Sequence, residues 1–126
     1  MPEFHQRSLA NLDTVHPDLK RVMLEAIENA PFDFGITEGL RTKERQQQLF
    51  NEGKSQTLNS RHLTGNAVDI VIFIDNKVTW DLKYYKVLSE HIKAVAKLND
   101  VPIVWGGDWK SFVDAVHFEL DRKVYK

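Results

Sequence analysis

The chain has 126 residues, a length that suits one domain and leaves too little for a second module of useful size. Hydrophobic residues make up 42% and charged residues 28%, ordinary globular values that exclude a disordered or low-complexity chain. Seventeen basic residues against eighteen acidic ones give a net charge of -1, so no strong field favours nucleic acid or an anionic membrane as a partner. We therefore expect a single domain over residues 1–126.

The chain has no cysteine, which excludes disulfides, thiolate metal sites and a cysteine nucleophile. Any metal must be held by histidine, aspartate or glutamate. The N-terminus lacks the apolar stretch of a signal peptide, and no later apolar run has the length of a membrane span. We expect synthesis in a cytoplasm, no signal peptide and no membrane insertion.

Hydrophobic periodicity predicts helices and strands along the whole chain. Apolar residues at three- and four-residue spacing predict helices with one buried face, and short apolar runs bounded by turn residues predict strands. These elements favour an α+β fold, a small mixed or antiparallel sheet with helices packed against it. In chain order they are a helix over 18–30, a strand over 33–37, a short helix over 42–53, a surface loop over 51–61, a strand over 67–74, a hairpin through 75–80, a helix over 82–98, and strands over 101–105 and 116–120.

Asp69 is the only charged residue in the predicted strand over 67–74, where a carboxylate must be paired, hydrogen-bonded or bound to a metal. Its candidate partners are His62, His117 and a basic residue such as Arg61. Two imidazoles and one carboxylate are a usual ligand set for catalytic zinc, with the fourth position left for water. A hydrogen-bonded loop histidine and a paired buried aspartate explain His62 and Asp69 equally well, so these two residues alone leave the metal open.

A catalytic zinc ion also needs a nearby carboxylate to accept a proton, and Asp114 and Glu119 both flank His117. In a regular strand His117 and Glu119 share a face, which favours Glu119. Asp114 ends a glycine-containing loop where strand geometry need not apply. The spacing leaves the base undecided.

A serine hydrolase with Ser60, His62 and Asp69 as a triad is an alternative interpretation. Two observations disfavour it. Ser60 and His62 are only two residues apart, and the chain has no G-x-S-x-G nucleophile motif. Triad members normally come from separate elements.

Four segments resemble the zinc D,D-carboxypeptidase and L-alanyl-D-glutamate endopeptidase family, which includes the vancomycin-resistance D,D-dipeptidases. S-R-H-L-T-G-N-A-V-D (60–69) and D-A-V-H (114–117) are similar to its paired motifs S-x-H-x-x-G-x-A-x-D and [ED]-x-x-H. G-L-R-T-K-E-R-Q (39–46) resembles the segment G-x-R-[ST]-x-x-x-Q, and W-G-G-D-W (105–109) resembles the loop W-G-G-x-[WF]. The resemblance covers residues 16–120, nearly the whole chain.

Carried over position by position, the resemblance implies a role for each matched residue. Asp114 becomes the general base in place of Glu119, although the family more often has the longer glutamate there. Arg41, by default a solvated cation at a helix start, would stabilise an oxyanion or hold a substrate carboxylate. The implied zinc ligands are His62, Asp69 and His117, and the implied substrate-binding residues are Ser60, Arg41, Gln46 and Trp105.

The resemblance also implies a fold like that of hedgehog and the D,D-peptidases, and a function. The expected activity is zinc-dependent hydrolysis of the L-alanyl-D-glutamate bond in the peptidoglycan stem peptide. The short chain looks like a monomeric phage endolysin for a Gram-negative host, held in the host cytoplasm until it reaches the periplasm and cell wall. The alternatives are a D-alanyl-D-alanine carboxypeptidase or dipeptidase of the same family, and a noncatalytic zinc-containing binding module.

Overall fold

The structure is a computed structural model that describes residues 4–55, 57–58, 60–110 and 113–125. The predicted domain over 1–126 and the predicted loop over 51–61 therefore include positions that lie outside the described residues. The elements in chain order are α1 (Gln6–Leu12), α2 (Pro17–Glu28), β1 (Asp33–Glu38), α3 (Lys43–Asn51), a 3₁₀ turn (Arg61–Thr64), β2 (Ala67–Ile74), β3 (Lys77–Thr79), α4 (Leu82–Leu98), β4 (Ile103–Trp105), a second 3₁₀ turn (Gly106–Asp108) and β5 (His117–Leu120).

The five strands form one antiparallel sheet in the order β1-β2-β5-β4, with β3 also beside β2. β2 is the central strand. It pairs with β1 along one edge, and its other edge is divided between β5 at the start and β3 at the end. The α+β prediction is confirmed, and of its two sheet types the antiparallel one is correct.

The core lies between the sheet and the two long helices, α2 and α4. Each helix buries one stripe and starts at a residue suited to it: Pro17 occupies the first turn of α2, and the Asp81 side chain caps α4 by accepting from the backbone of Lys83. The largest fully buried core side chains are Leu12, Leu19, Met23, Phe34, Ile70, Ile72, Tyr85, Leu88, Ile92, Phe118 and Leu120. None of the helices in the described part of the chain has the length and apolar character to span a membrane.

Helix α1 has no counterpart among the predicted elements, because its seven residues are mostly polar and give no apolar stripe. Its packing against the edge strand β1 explains its presence. The Ile36 amide donates to the Ser8 hydroxyl at 2.9 Å, and the Asn11 side chain donates to the Ile36 carbonyl at 2.8 Å. α1 therefore satisfies backbone groups on the edge of β1 that β2 does not reach.

Candidate active site

Two adjacent strands and one short turn bring His62, Asp69 and His117 together. Asp69 in β2 is the direct register partner of His117 in β5. His62 lies in the 3₁₀ turn before β2, where the Ser60 hydroxyl accepts from its backbone amide at 3.2 Å. Gly65 then ends the turn with a φ of 73°, a left-handed conformation that glycine adopts without strain. Sheet register and this short turn therefore bring together the three residues that the sequence analysis expected as metal ligands.

The three side chains form a cluster suited to a metal ion. One ligand atom from each lies within 4.8 Å of the others. The Asp69 Oδ1 atom is 3.1 Å from His62 Nε2 and 3.3 Å from His117 Nδ1. Two nitrogens and one carboxylate oxygen are therefore close enough to bind one divalent cation and to leave a coordination position open.

Each imidazole is oriented by a hydrogen bond from its other nitrogen. His62 donates from Nδ1 to the Gly39 carbonyl at 2.8 Å, so Nε2 is the nitrogen that the neutral ring offers to a metal. The Nε2 atom of His117 lies 2.9 Å from Glu119 Oε1, and Nδ1 faces Asp69. Outer partners of this kind are typical of histidines that bind metals, so the residues fit a bound divalent ion.

Without a metal, hydrogen bonds and electrostatic attraction between Asp69 and the two histidines stabilise the cluster. Burial by itself would raise the pKa of Asp69, but hydrogen bonds and charge from His117 and His62 hold it well below its usual range. Burial would likewise lower the pKa of His117, but its bonds to Asp69 and Glu119 outweigh burial and raise that pKa to about 9. A metal ion at this point would replace the proton on His117.

Asp114 lines the same cleft as the cluster and is fixed by its backbone. Its amide donates to the Gly106 carbonyl at 3.0 Å, and its carbonyl accepts from the His117 amide at 3.1 Å. A Cβ atom on Gly106 would lie 2.3 Å from that Asp114 carbonyl, so only glycine permits this approach. Burial, and then the negative charge of Asp69, raise the pKa of Asp114, which makes its carboxylate a stronger base.

Arg41 is buried beside the cluster and is not the solvated cation that its position suggests by default. It forms a two-pronged ion pair with Glu38, at 2.7 and 2.8 Å, and donates to the Gln46 side chain at 2.8 Å. Its Nη2 atom also lies 3.4 Å from Asp69 Oδ2. Four of its five N–H groups thus have acceptors, and one Nη1 hydrogen faces no acceptor among the described residues.

The cleft around these groups has a volume of about 370 Å³. It contains the cluster, Asp114, Arg41 and Ser60, all expected from the sequence. It also contains cations and polar groups that the sequence analysis did not single out. The described lining residues are Glu38, Arg41, Leu49, Lys54, Ser55, Thr57, Ser60, Arg61, His62, Asp69, Trp109, Asp114, His117, Glu119 and Arg122.

Two predicted substrate-binding residues do not line this cleft. Gln46 is 1% exposed, and its amide group bonds to Arg41, to the Ser55 hydroxyl and to the Thr57 carbonyl. It therefore holds the guanidinium and the following loop in place. Trp105 is 4% exposed, and its indole N–H donates to the Ala115 carbonyl at 2.7 Å, so this side chain belongs to the core.

Among the described residues, Trp109 is the tryptophan that lines the cleft. Its ring packs at a tilt against the His117 ring with centroids 5.0 Å apart. Both tryptophans belong to the W-G-G-D-W segment, and the intervening 3₁₀ turn over Gly106–Asp108 sends one inward and the other to the cleft. The aromatic residue at the last position of that motif was the sequence signal that could have identified Trp109 as a cleft residue.

Comparisons with known proteins agree on one group of enzymes. A sequence model of the family described as phage L-alanyl-D-glutamate peptidase matches residues 2–126. The L-alanyl-D-glutamate peptidase of Escherichia phage T5 is 32% identical over 98% of this chain and 92% of its own length. That of Listeria phage A118 is 37% identical over 97% of this chain, which spans only 43% of that relative.

Solved structures extend the likeness to the fold. The crystal structure of the Serratia marcescens L-Ala D-Glu endopeptidase ChiX superposes with a TM-score of 0.91 at 41% identity, over 98% of this chain and 92% of that one. The fold described above is thus shared with an experimentally determined structure.

Proposed function

Because the chain belongs to the phage L-alanyl-D-glutamate peptidase family, we propose that it hydrolyses the bond between L-alanine and D-glutamate in the stem peptide of bacterial peptidoglycan. The observation that carries this proposal is the convergence of His62, Asp69 and His117 in a cleft that also contains Asp114. Such a cleft suits metal-assisted hydrolysis of a peptide bond. The named activities of the phage T5 relative and of ChiX supply the substrate.

The metal proposed for the cluster is zinc, held by His62 Nε2, Asp69 and His117 Nδ1. Two histidines and one carboxylate are the ligand set of several zinc peptidases. When bound, zinc supplies a Lewis acid that polarises a carbonyl group and lowers the pKa of water. The Nδ1–H bond of His62 to Gly39 supports this assignment, because it fixes the tautomer with the lone pair on the cluster side.

Asp114 is proposed as the general base. Its carboxylate would accept the proton of the attacking water and deliver it to the amine that leaves when the peptide bond breaks. The raised pKa that burial and Asp69 give this carboxyl suits the first transfer, since a weaker acid has a more basic carboxylate. The hydrogen bonds of its backbone to Gly106 and His117 keep it in the cleft.

Arg41 is proposed to stabilise negative charge on the carbonyl oxygen during attack. Its guanidinium is held rigidly by Glu38 and Gln46, so no reorganisation is needed as charge develops. Its remaining Nη1 hydrogen is the donor for that oxygen or for a substrate carboxylate. Ser60 and Trp109 line the same cleft and are proposed to contact the peptide.

The described residues are proposed to form one catalytic domain that acts as a monomer. An endolysin of this kind would be held in the cytoplasm of the host and would act on the cell wall after release. The D-alanyl-D-alanine carboxypeptidase alternative predicts a different product from the same cleft.

Defined peptides test the proposal and its alternative together. The purified protein, loaded with zinc, would be given the stem peptide L-Ala-γ-D-Glu-mDAP-D-Ala-D-Ala, and the products would be separated by mass. Release of free L-alanine supports the proposal. Release of D-alanine alone would assign the chain to the carboxypeptidase branch, and an intact peptide with zinc bound would favour a binding module.

A further inference from the structure

Glu119 contacts the cluster through the Nε2 atom of His117, while the Nδ1 atom of the same ring is near Asp69. Glu119 follows His117 by two positions along β5, so the two side chains lie on the same face of the sheet. The His117 Nε2 atom lies 2.9 Å from Glu119 Oε1, and Glu119 is only 4% exposed. No substrate group or water is needed to explain where this carboxylate points.

Two guanidinium groups flank the other oxygen of Glu119, and one of them is hydrogen-bonded to it. Arg122 Nε donates to Oε2 at 3.2 Å from the exposed side, and Arg61 Nε lies 3.9 Å from Oε2 on the buried side. That Arg61 nitrogen has no hydrogen-bond partner in the described part of the chain. The rest of the Arg61 guanidinium is anchored to the Tyr125 carbonyl at 2.6 Å.

We propose that Glu119 is a positioning residue: it fixes the His117 ring with its proton on Nε2, so that Nδ1 is the nitrogen presented to the metal. The proposal rests on the metal site of the proposed function and adds a second layer to it. A buried carboxylate bonded to the ligand histidine sets the tautomer, orients the ring and raises the electron density at the other nitrogen. The bond from Arg122 to its second oxygen helps to orient that carboxylate.

The same geometry explains why Glu119 is not the general base, although its parity along β5 favours it. Its first oxygen bonds to His117, and its second accepts a hydrogen bond from Arg122. Both oxygens are therefore engaged, and only 4% of Glu119 is exposed. The base is left to Asp114, whose carboxylate has no hydrogen bond to either histidine among the described contacts.

Zinc affinity tests the proposal without reference to turnover. The zinc dissociation constant would be measured by competition with a chromogenic chelator for the wild-type chain, Glu119→Gln, Glu119→Ala and the exposed control Glu90→Gln. We expect Glu119→Ala to bind zinc on the order of 10- to 100-fold more weakly. Glu119→Gln keeps an acceptor oxygen but loses the charge, so its affinity should be intermediate, and Glu90→Gln should match the wild type.

Arg122→Gln separates the histidine contact from the general charge of the cleft. It removes an exposed partner of Glu119 but leaves the bond to His117, so its zinc affinity should change by less than about threefold. Nitrogen-15 spectra of zinc-loaded wild type should show His117 protonated on Nε2. Urea unfolding of each metal-free variant would confirm that the compared proteins are folded, and Glu119→Gln keeps the test open if Glu119→Ala does not fold.

Two results would overturn the proposal: zinc affinities of both Glu119 variants equal to that of the wild type, or a spectrum with zinc on Nε2 of His117. A wild-type chain that bound no zinc would contradict the proposed function as well. Zinc binding that is independent of Glu119 would contradict this inference alone.

Discussion

Arg41 and Glu38 form a two-pronged ion pair between the end of β1 and the segment that leads into α3, with N–O distances of 2.7 and 2.8 Å. The pair places the Arg41 guanidinium 3.4 Å from Asp69 Oδ2, beside the proposed metal ligands. A planar, five-donor group is the only side chain that can meet Glu38, Gln46 and Asp69 at once. The local geometry of the cleft therefore depends on arginine at this position.

Arg41→Lys should reduce both activity and stability. A lysine ammonium cannot reproduce the fork to Glu38 and the bond to Gln46 together, and it leaves buried acceptors unsatisfied. We expect kcat/KM on the stem peptide to fall on the order of 10²-fold, the loss seen when an oxyanion donor is removed. The midpoint of urea unfolding should also fall. The exposed change Arg45→Lys is the control, and an Arg41→Lys enzyme with wild-type kcat/KM would contradict the role proposed for Arg41.

Asp114→Ala should separate metal binding from turnover. The side chain is not among the three proposed ligands, so the variant should still bind one zinc ion per chain. Its kcat should fall on the order of 10²- to 10⁴-fold, because a general base contributes about that much. Zinc content by atomic emission and turnover of the stem peptide would be measured on the same preparation. Asp108→Asn, a carboxylate of the same loop that is paired with Lys93, should keep its activity; near-normal turnover by Asp114→Ala would remove Asp114 from the mechanism.

Metal-free protein should become less stable as the pH rises from about 6.5 to about 9. His117 has its folded-state pKa raised from 6.5 to about 9 by Asp69 and Glu119. A group whose pKa is higher in the folded state stabilises the fold fully below its unfolded pKa and loses that contribution as the pH rises through the folded value. Urea midpoints of chelator-treated protein at pH 6.5, 7.5 and 9 measure this.

The matched comparison for that pH series is His117→Gln, which has no titrating group at position 117. The difference in urea midpoint between wild type and variant should be largest at pH 6.5 and should shrink towards pH 9. A difference that stayed constant, or that grew with pH, would show that His117 is not held as a cation in the metal-free fold.

Gly106→Ala should disturb the loop that carries Asp114. The new methyl group would lie 2.3 Å from the Asp114 carbonyl, so the backbone must move. Overpacking of this kind costs about 1–3 kcal/mol of stability, and displacement of Asp114 should lower kcat further. Urea unfolding and stem-peptide turnover would be measured beside Lys110→Ala, an exposed position of the same loop. Unchanged values in both assays would show that the close approach is unimportant.

The sequence was most informative where a residue broke a pattern. Asp69 in an otherwise apolar strand pointed to a buried partner, and the register of β2 with β5 supplies one in His117. The helix over 82–98 and the strand over 67–74 have the predicted bounds, because the helix has a long apolar stripe and turn residues follow the strand. The short, mostly polar α1 gave no such signal.

Side-chain direction was the part that the sequence could not supply. The W-G-G-D-W segment carries two tryptophans, and only the 3₁₀ turn between them decides that Trp105 enters the core while Trp109 faces the cleft. The roles of Arg41 and Gln46 were equally hidden from the sequence, because they depend on contacts with Glu38 and with the loop after α3. Periodicity reports the burial of apolar residues along an element. Arg41, Trp105 and Trp109 lie at or beyond the ends of elements, and Gln46 is a polar residue inside α3.

Digestion of purified peptidoglycan from a Gram-negative bacterium, with mass spectrometry of the released fragments, tests the central claim most directly. The protein would be compared before chelation, after chelation, and after zinc is restored. The account predicts fragments with new D-glutamate amino termini that disappear with the chelator and return with zinc. Cleavage that persists in the chelated protein, or new termini at any other bond, would contradict it.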